Sequence, residues 1–285
     1  MPLQCENIER VIKQIEPAKE MLLNLNVEHP DVLEAHGLNP SDYHDGLVFR
    51  SAVESIRGHF IAGAMRGRQD LVGDALYTAK EKGLIHAYQA TGRGARYDFE
   101  AIVDPERRRR LAIEVKGGEG NSINISERPL WADEFVVWCH LDGAVVNQPA
   151  KNANSIIFGR VSRFIVKDRK QIDVVVIRDR LCGTSARPCP KYPEGGKSPL
   201  GVAPCIFLMP VSPPTEENPE PAVHDISTAI FPGIVLRAFG VTPGAYEKNV
   251  YYVSIGLERD DKGVMRKTTT VSHRGDVIGK RSVKV

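Results

Sequence analysis

Tyr97-Asp98-Phe99-Glu100-Ala101-Ile102-Val103, then Asp104-Pro105-Glu106 with an arginine run, then Arg110-Leu111-Ala112-Ile113-Glu114-Val115-Lys116-Gly117-Gly118, is the stretch that decides the fold. β-Forming apolar residues crowd both halves, and the Asp-Pro-Glu signal predicts a hairpin loop between them. Strand side chains alternate between faces. Glu114 and Lys116 therefore project from one face, and Asp98 and Glu100 share a face of the neighbouring strand. Paired in this way, the hairpin brings two carboxylates and one amine together at a sheet edge. That set can hold a divalent cation and steer a water, so metal-assisted hydrolysis of a phosphodiester is the expected chemistry.

The rest of the chain is consistent with a globular protein of one elaborated core or two modest domains. It has 285 residues, 42% hydrophobic and 26% charged. No stretch of roughly 18 or more apolar residues occurs, so no transmembrane helix and no membrane partner is expected. The start, Met-Pro-Leu-Gln-Cys-Glu-Asn, lacks a basic region followed by an apolar run, so no secretory signal is expected. Five scattered cysteines add to this, and the expected compartment is the reducing cytoplasm. Net charge is only +2, but cations are clustered. Arg107 to Arg110 form one run; Lys262, Arg266, Lys267, Arg274, Lys280, Arg281 and Lys284 form another, against Asp276 alone. Such patches neutralise phosphates, and equally serve as solvated faces.

Upstream, Ile8, Val11, Ile12 and Ile15 recur at helical spacing, and Pro30 and Pro40 break the pattern. A second helix is expected from Leu47 to about Met65, carrying Glu54 and Arg57 on one side, and a third from Asp70 to Glu81, stopped by Gly83. Leu84 to Gln89 reads as a short strand. Downstream, Phe135 to Trp138 is an expected strand, Lys151 to Val166 a helix, and Ile172 to Ile177 a central strand. From Cys182 to Pro221 the chain is rich in proline and glycine, with one apolar island at Cys205 to Met209, and reads as a long connection. Val250 to Leu257 and Val264 to Val271 read as strands around a turn at Asp260 to Gly263.

Phosphodiester hydrolysis needs a nucleophile, charge neutralisation and help for the leaving oxygen. Asp98 and Glu114 are the expected ligands of a hard cation, with the Val115 carbonyl as a further oxygen. Lys116 is placed to polarise the attacking water, and Glu54 to assist. Glu100 competes with Asp98 for the first carboxylate position. Gly117 and Gly118 leave room for an approaching phosphate backbone.

An acid on one strand, Glu-x-Lys on the next and a preceding helix with a glutamate resemble the PD-(D/E)XK nuclease superfamily. Asp98, Glu114 and Lys116 match its motif, Glu54 matches loosely, and Tyr97 stands where the motif has proline. The resemblance covers Leu47 to Ile177. It implies an α/β fold: a mixed central β-sheet flanked by helices, the restriction-endonuclease-like core. The expected division is a helical extension over 1–46, a nuclease core over 47–181, and a proline-rich connection with a β-rich basic region over 182–285. Among such enzymes the chain is most similar in style to a type II restriction endonuclease. That implies Mg²⁺ as cofactor with Mn²⁺ as a substitute, a homodimer cutting double-stranded DNA, and a cognate DNA methyltransferase as functional partner. Alternatives are a repair, recombination or transposition nuclease on the same core, and a non-catalytic DNA-binding module.

Arg93 and Arg96 are candidate phosphate clamps; Asn121, Asn124, Ser126 and Arg128 are candidate contacts to phosphates or base edges, against the reading of an ordinary polar loop. Cys182, Cys189 and Cys205 lack paired Cys-x-x-Cys spacing, so free thiols are preferred over a zinc site.

Overall fold

A computed structural model describes residues 20–21, 23–45, 68–92, 94–117, 125–141, 156–179 and 198–285. Its centre is the expected hairpin. Strand β1 (Ala87–Ala90) pairs antiparallel with β2 (Phe99–Asp104), and β2 with β3 (Arg109–Gly117). The turn forms because Asp104 Oδ1 accepts the N–H groups of Glu106 at 3.0 Å and Arg107 at 3.1 Å, while Arg108 takes φ 53°. A register shift between Ile102 and Asp104 lets the strands rejoin.

The sheet is mixed and has nine strands, ordered in space as in the chain. From β3 it continues in parallel to β4 (Glu134–Leu141) and β5 (Val174–Asp179). Antiparallel β6 (Cys205–Leu208) follows, then parallel β7 (Val250–Arg259), then antiparallel β8 (Met265–His273) and β9 (Asp276–Lys284). The strands of the middle are apolar on both faces, as a sheet covered on both sides requires. Val136, Trp138, Val174 and Val176 lie on one face; Phe135, Val137, Val175 and Ile177 lie on the other.

Helices cover each face. Among the described residues, two short helices, α1 (Leu25–Glu28) and α2 (Pro30–Ala35), precede α3 (Arg68–Glu81). The first face meets α3 through Val72, Ala75, Leu76 and Ala79, and α5 (Phe231–Ala238) through Phe231, Ile234 and Val235. The second face meets a π-helical turn (Ile156–Val161) and α4 (Ser162–Val166) through Ile156, Ile157, Phe164 and Ile165. Gly83, at φ 64°, ends α3 in a Schellman arrangement: Leu84 N–H donates to Ala79 O and Gly83 N–H to Lys80 O, both at 2.8 Å. Lys82 Nζ then donates to the carbonyls of Arg237 and Ala238, a cation at the negative end of α5.

Several expectations shift. The first strand begins at Ala87, not Leu84. The Cys205 island is not a connection but β6, a buried strand between β5 and β7. The break expected at Pro30 does occur, since α1 ends at Glu28 and Pro30 opens α2; Pro232 lies in the first turn of α5, where a missing N–H costs nothing. The described part of the expected 151–166 helix begins as a π turn; Ser162 Oγ donates back to Phe158 O at 2.7 Å. The last strand, β9, follows a tight turn in which Arg274 has φ 51° and Gly275 φ 86°.

Two buried carboxylates tie the N-terminal ends of the parallel strands. Asp173, 1% exposed, precedes β5. Its Oδ2 accepts the Phe135 N–H at 2.7 Å; its Oδ1 meets Arg128 Nη1 and Gln171 Nε2 at 2.9 Å and His224 Nε2 at 3.2 Å. Burial pushes its carboxyl up, but the His224 bond, the Phe135 N–H, Arg128 and Gln171 outweigh it and hold the group below the usual range. Glu134 opens β4. Its Oε2 accepts the N–H groups of Ile230 at 3.0 Å and Phe231 at 2.8 Å at the start of α5, while Oε1 has no hydrogen-bond partner among the described residues. Burial, chiefly, pushes this carboxyl up to about 7, although the Phe231 N–H pulls the other way.

Two outcomes are expected. Asp173→Ala strands the Arg128 guanidinium and the Phe135 N–H, and urea denaturation should show a loss of about 3 kcal/mol or more; a loss below about 1 kcal/mol would remove Asp173 from this role. Folded Glu134 keeps a proton that the unfolded chain releases near its ordinary 4.5. Its contribution to stability is therefore full below that pH and falls as pH rises to about 7, by on the order of 3 kcal/mol. Glu134→Gln, with an amide oxygen still available to cap α5, should lack that part of the pH slope. Matching slopes in the two proteins would exclude Glu134 as its source.

Candidate active site

The candidate residues stand where β2 begins and β3 ends. Asp98 N–H donates to Ile113 O at 3.0 Å, and its Oδ2 accepts the Val115 N–H at 2.7 Å. The Asp98 carboxylate is thus held against the backbone of the Glu114-Val115-Lys116 segment. Its Oδ1 accepts the Gln69 side-chain amide at 2.8 Å, which ties it to the first turn of α3. Strand alternation puts Glu114 and Lys116 on the second face with Ala112, and Lys116 Nζ lies 2.6 Å from Glu114 Oε1. Glu114 is 4% exposed and also accepts the Ser126 N–H at 2.9 Å. Lys116 and Asp98 are half-buried and open towards solvent.

Position in the sheet departs from expectation. The β2–β3 pair is second and third of nine strands, so these groups gather at strand ends rather than at a lateral edge. Glu100 is buried on the same face but is engaged elsewhere. Arg110 Nη2 lies 2.5 Å and Nε 2.7 Å from its Oε1, and Gln89 Nε2 donates to its Oε2 at 3.3 Å. The Arg110 guanidinium also sits 4.2 Å from the centre of the Trp131 ring. Between the rivals, Asp98 is the carboxylate beside Glu114 and Lys116.

The remaining sequence-derived candidates fall differently. Glu54, Arg93, Asn121 and Asn124 lie outside the described residues. Arg96 is exposed and stands 3.7 Å from the equally exposed Glu127. Arg128, expected at DNA, points instead into the fold: besides Asp173, its Nη2 donates to Ala132 O at 2.8 Å and Asp133 O at 2.6 Å. Those partners flank the start of β4, whereas Lys116 pairs with Cys139 near its far end. Arg128 is thus remote from the carboxylate pair.

Two nearby residues, Gln69 and Arg160, carry no sequence signal, and Ser126, expected as a contact to DNA, bonds instead to Glu114. Gln69 is an ordinary polar residue until the fold presents it to Asp98. Arg160, half-buried on the π turn, joins Lys116 as a cation close to the Cys139 thiol. Burial pushes that thiol up to about 12 in spite of both charges, so Cys139 is an inert core group.

Among the described residues no three His, Cys, Asp or Glu side chains gather in a group able to hold a metal. The oxygen set that fits a hard cation is Asp98, Glu114 and the Val115 carbonyl. Mg²⁺ takes one or two carboxylates and fills its remaining positions with water and substrate; both Asp98 oxygens and Glu114 Oε2 keep a second lone pair, whereas Glu114 Oε1 already meets Lys116 Nζ and the Ser126 hydroxyl. A separate groove of about 180 Å³ lies over β7 to β9, lined by Glu220, Thr268, Thr270 and Lys280 among others. Among the described residues no helix is long and apolar enough to cross a membrane. Comparison with protein-family models, with curated proteins and with solved structures finds no match to this chain.

Proposed function

We propose that this chain is a Mg²⁺-dependent DNA endonuclease with a restriction-endonuclease-like core, of type II character: a cytoplasmic homodimer that cuts both strands of a short duplex site, with a cognate methyltransferase protecting the host. One observation carries the reading. Asp98 is hydrogen-bonded to the backbone between Glu114 and Lys116, which brings two carboxylates and an ammonium to one strand end. The surrounding order also supports it, with α3, an antiparallel β1–β2–β3 and parallel β3–β4–β5.

In this reading Asp98, Glu114 and the Val115 carbonyl hold Mg²⁺, which when bound acidifies water and neutralises phosphate charge. Lys116 contributes separately. Its ammonium, set by Glu114 Oε1, holds the attacking water by hydrogen bonding and offsets negative charge as the phosphorus–oxygen bond to the leaving group breaks. Gln69 orients Asp98, and Ser126 orients Glu114. Arg160 adds positive potential on the same face.

The direct test is incubation of the purified protein with plasmid DNA and Mg²⁺, followed by mapping of the ends. Discrete fragments sharing an end sequence are expected; intact DNA with both Mg²⁺ and Mn²⁺ would refute the proposal, and cutting confined to branched or damaged DNA would shift it to a structure-reading nuclease. Asp98→Ala and Lys116→Ala should each slow cleavage by about 10²–10⁴-fold while DNA binding in a gel-shift assay persists. Gln69→Ala should act more mildly, by about 10–100-fold, and raise the Mg²⁺ concentration needed for half-maximal rate. An unchanged Mg²⁺ requirement in that variant would remove Gln69 from the site.

A further inference from the structure

The second face of the sheet carries another polar cluster at its C-terminal end. Lys267 on β8 is more than nine-tenths buried, and its Nζ donates to Ser162 Oγ of α4 at 2.9 Å. Thr269, two residues along on the same face, is 1% exposed, and its hydroxyl has no hydrogen-bond partner among the described residues. Directly across from Thr269 on β9 stands Arg281, which directly opposed pairing puts on that face too. Arg163 follows Ser162 on α4. Burial first, then the charges of Arg281 and Arg163, push the Lys267 ammonium below the ordinary lysine range. Among the described residues no carboxylate forms an ion pair with any of these three cations.

Burial of an ammonium beside two guanidinium groups is unfavourable without a counter-charge. Here both guanidinium groups lie within electrostatic reach of the Lys267 ammonium, the Thr269 hydroxyl two residues along stands unpartnered among the described residues, and Arg163 and Arg281 are exposed. We infer that Lys267, Arg163, Arg281 and Thr269 form a phosphate-binding site, with Ser162 fixing the Lys267 ammonium. A phosphate fits better than a carboxylate. It brings more charge and more acceptor oxygens, and it accepts bonds both from the planar fork of arginine and from the point charge of lysine. β8 lies five strands from β3 in the sheet order, and among the described residues none of these four groups is hydrogen-bonded or ion-paired to Asp98, Glu114 or Lys116, so this site is separate from those residues and stands independently of the nuclease reading.

The phosphate belongs either to a nucleic-acid backbone or to a free phosphate or phosphomonoester, and titration calorimetry on the intact protein separates the two. Inorganic phosphate and, in a second arm, a short duplex DNA are titrated at matched ionic strength into wild type, Lys267→Met, Arg163→Gln and Arg281→Gln. The two arginines are exposed, so their variants keep the fold even if Lys267→Met does not. Phosphate affinity is expected to fall about 10-fold or more in Lys267→Met and several-fold in each arginine variant. A backbone occupant also lowers duplex affinity and reduces the salt slope by about 1 per contact removed. A free-phosphate occupant leaves duplex affinity unchanged. The assignment is overturned if wild type binds neither ligand, or if no variant alters the affinity for either.

Discussion

Burial of β4 and β5 from both sides is the constraint on which the rest of the molecule depends. Trp138, Phe135, Val137, Val175 and Val176 are fully enclosed, so helices must lie on each face and the chain must cross over to reach each parallel strand. That arrangement leaves β3 with a neighbour on either side and fixes its register on both. The places of Glu114 and Lys116 follow, because a one-residue slip would move both to the opposite face.

Doubly covered strands still have to end, and their polar ends are managed differently. At the N-terminal ends of β4 and β5 the charges face inward and are nearly satisfied. Asp173 gathers an arginine, a histidine, an amide and a backbone N–H, and Glu134 caps a helix. At the opposite end of β3 the charges are only partly enclosed. Glu114 is buried, but Lys116 and Asp98 keep contact with solvent. The first end is framework, whereas the second keeps charged groups within reach of solvent.

Much of this was legible because it was local. The hairpin from Phe99 to Gly117 announces itself by its apolar β-formers and by the Asp104 turn, and the central strand by the apolar run from Val174 to Ile177. The helix ending at Gly83 carries its own stop signal. What escaped depended on distant partners. Arg274-Gly275 is a weak hairpin signal because arginine rarely takes positive φ. Arg128 looks like a nucleic-acid contact because its partner Asp173 is 45 positions away. The same holds for Gln69, whose proximity to Asp98 is a product of how α3 packs and of nothing in its own neighbourhood.

The spatial order of the nine strands is the order of the chain. A sheet built in this way can grow during synthesis, each emerging strand docking on the one before it, with no need to hold a gap open for a late arrival. Most pairings then join segments near each other in sequence, which keeps the entropic cost of closing loops low for so large a sheet. It also means that each newly docked strand forms the edge of the sheet until the next one covers it. On β9, which lies at one side of the sheet, Lys280, Arg281 and Lys284 set charge along the strand and discourage pairing with another chain.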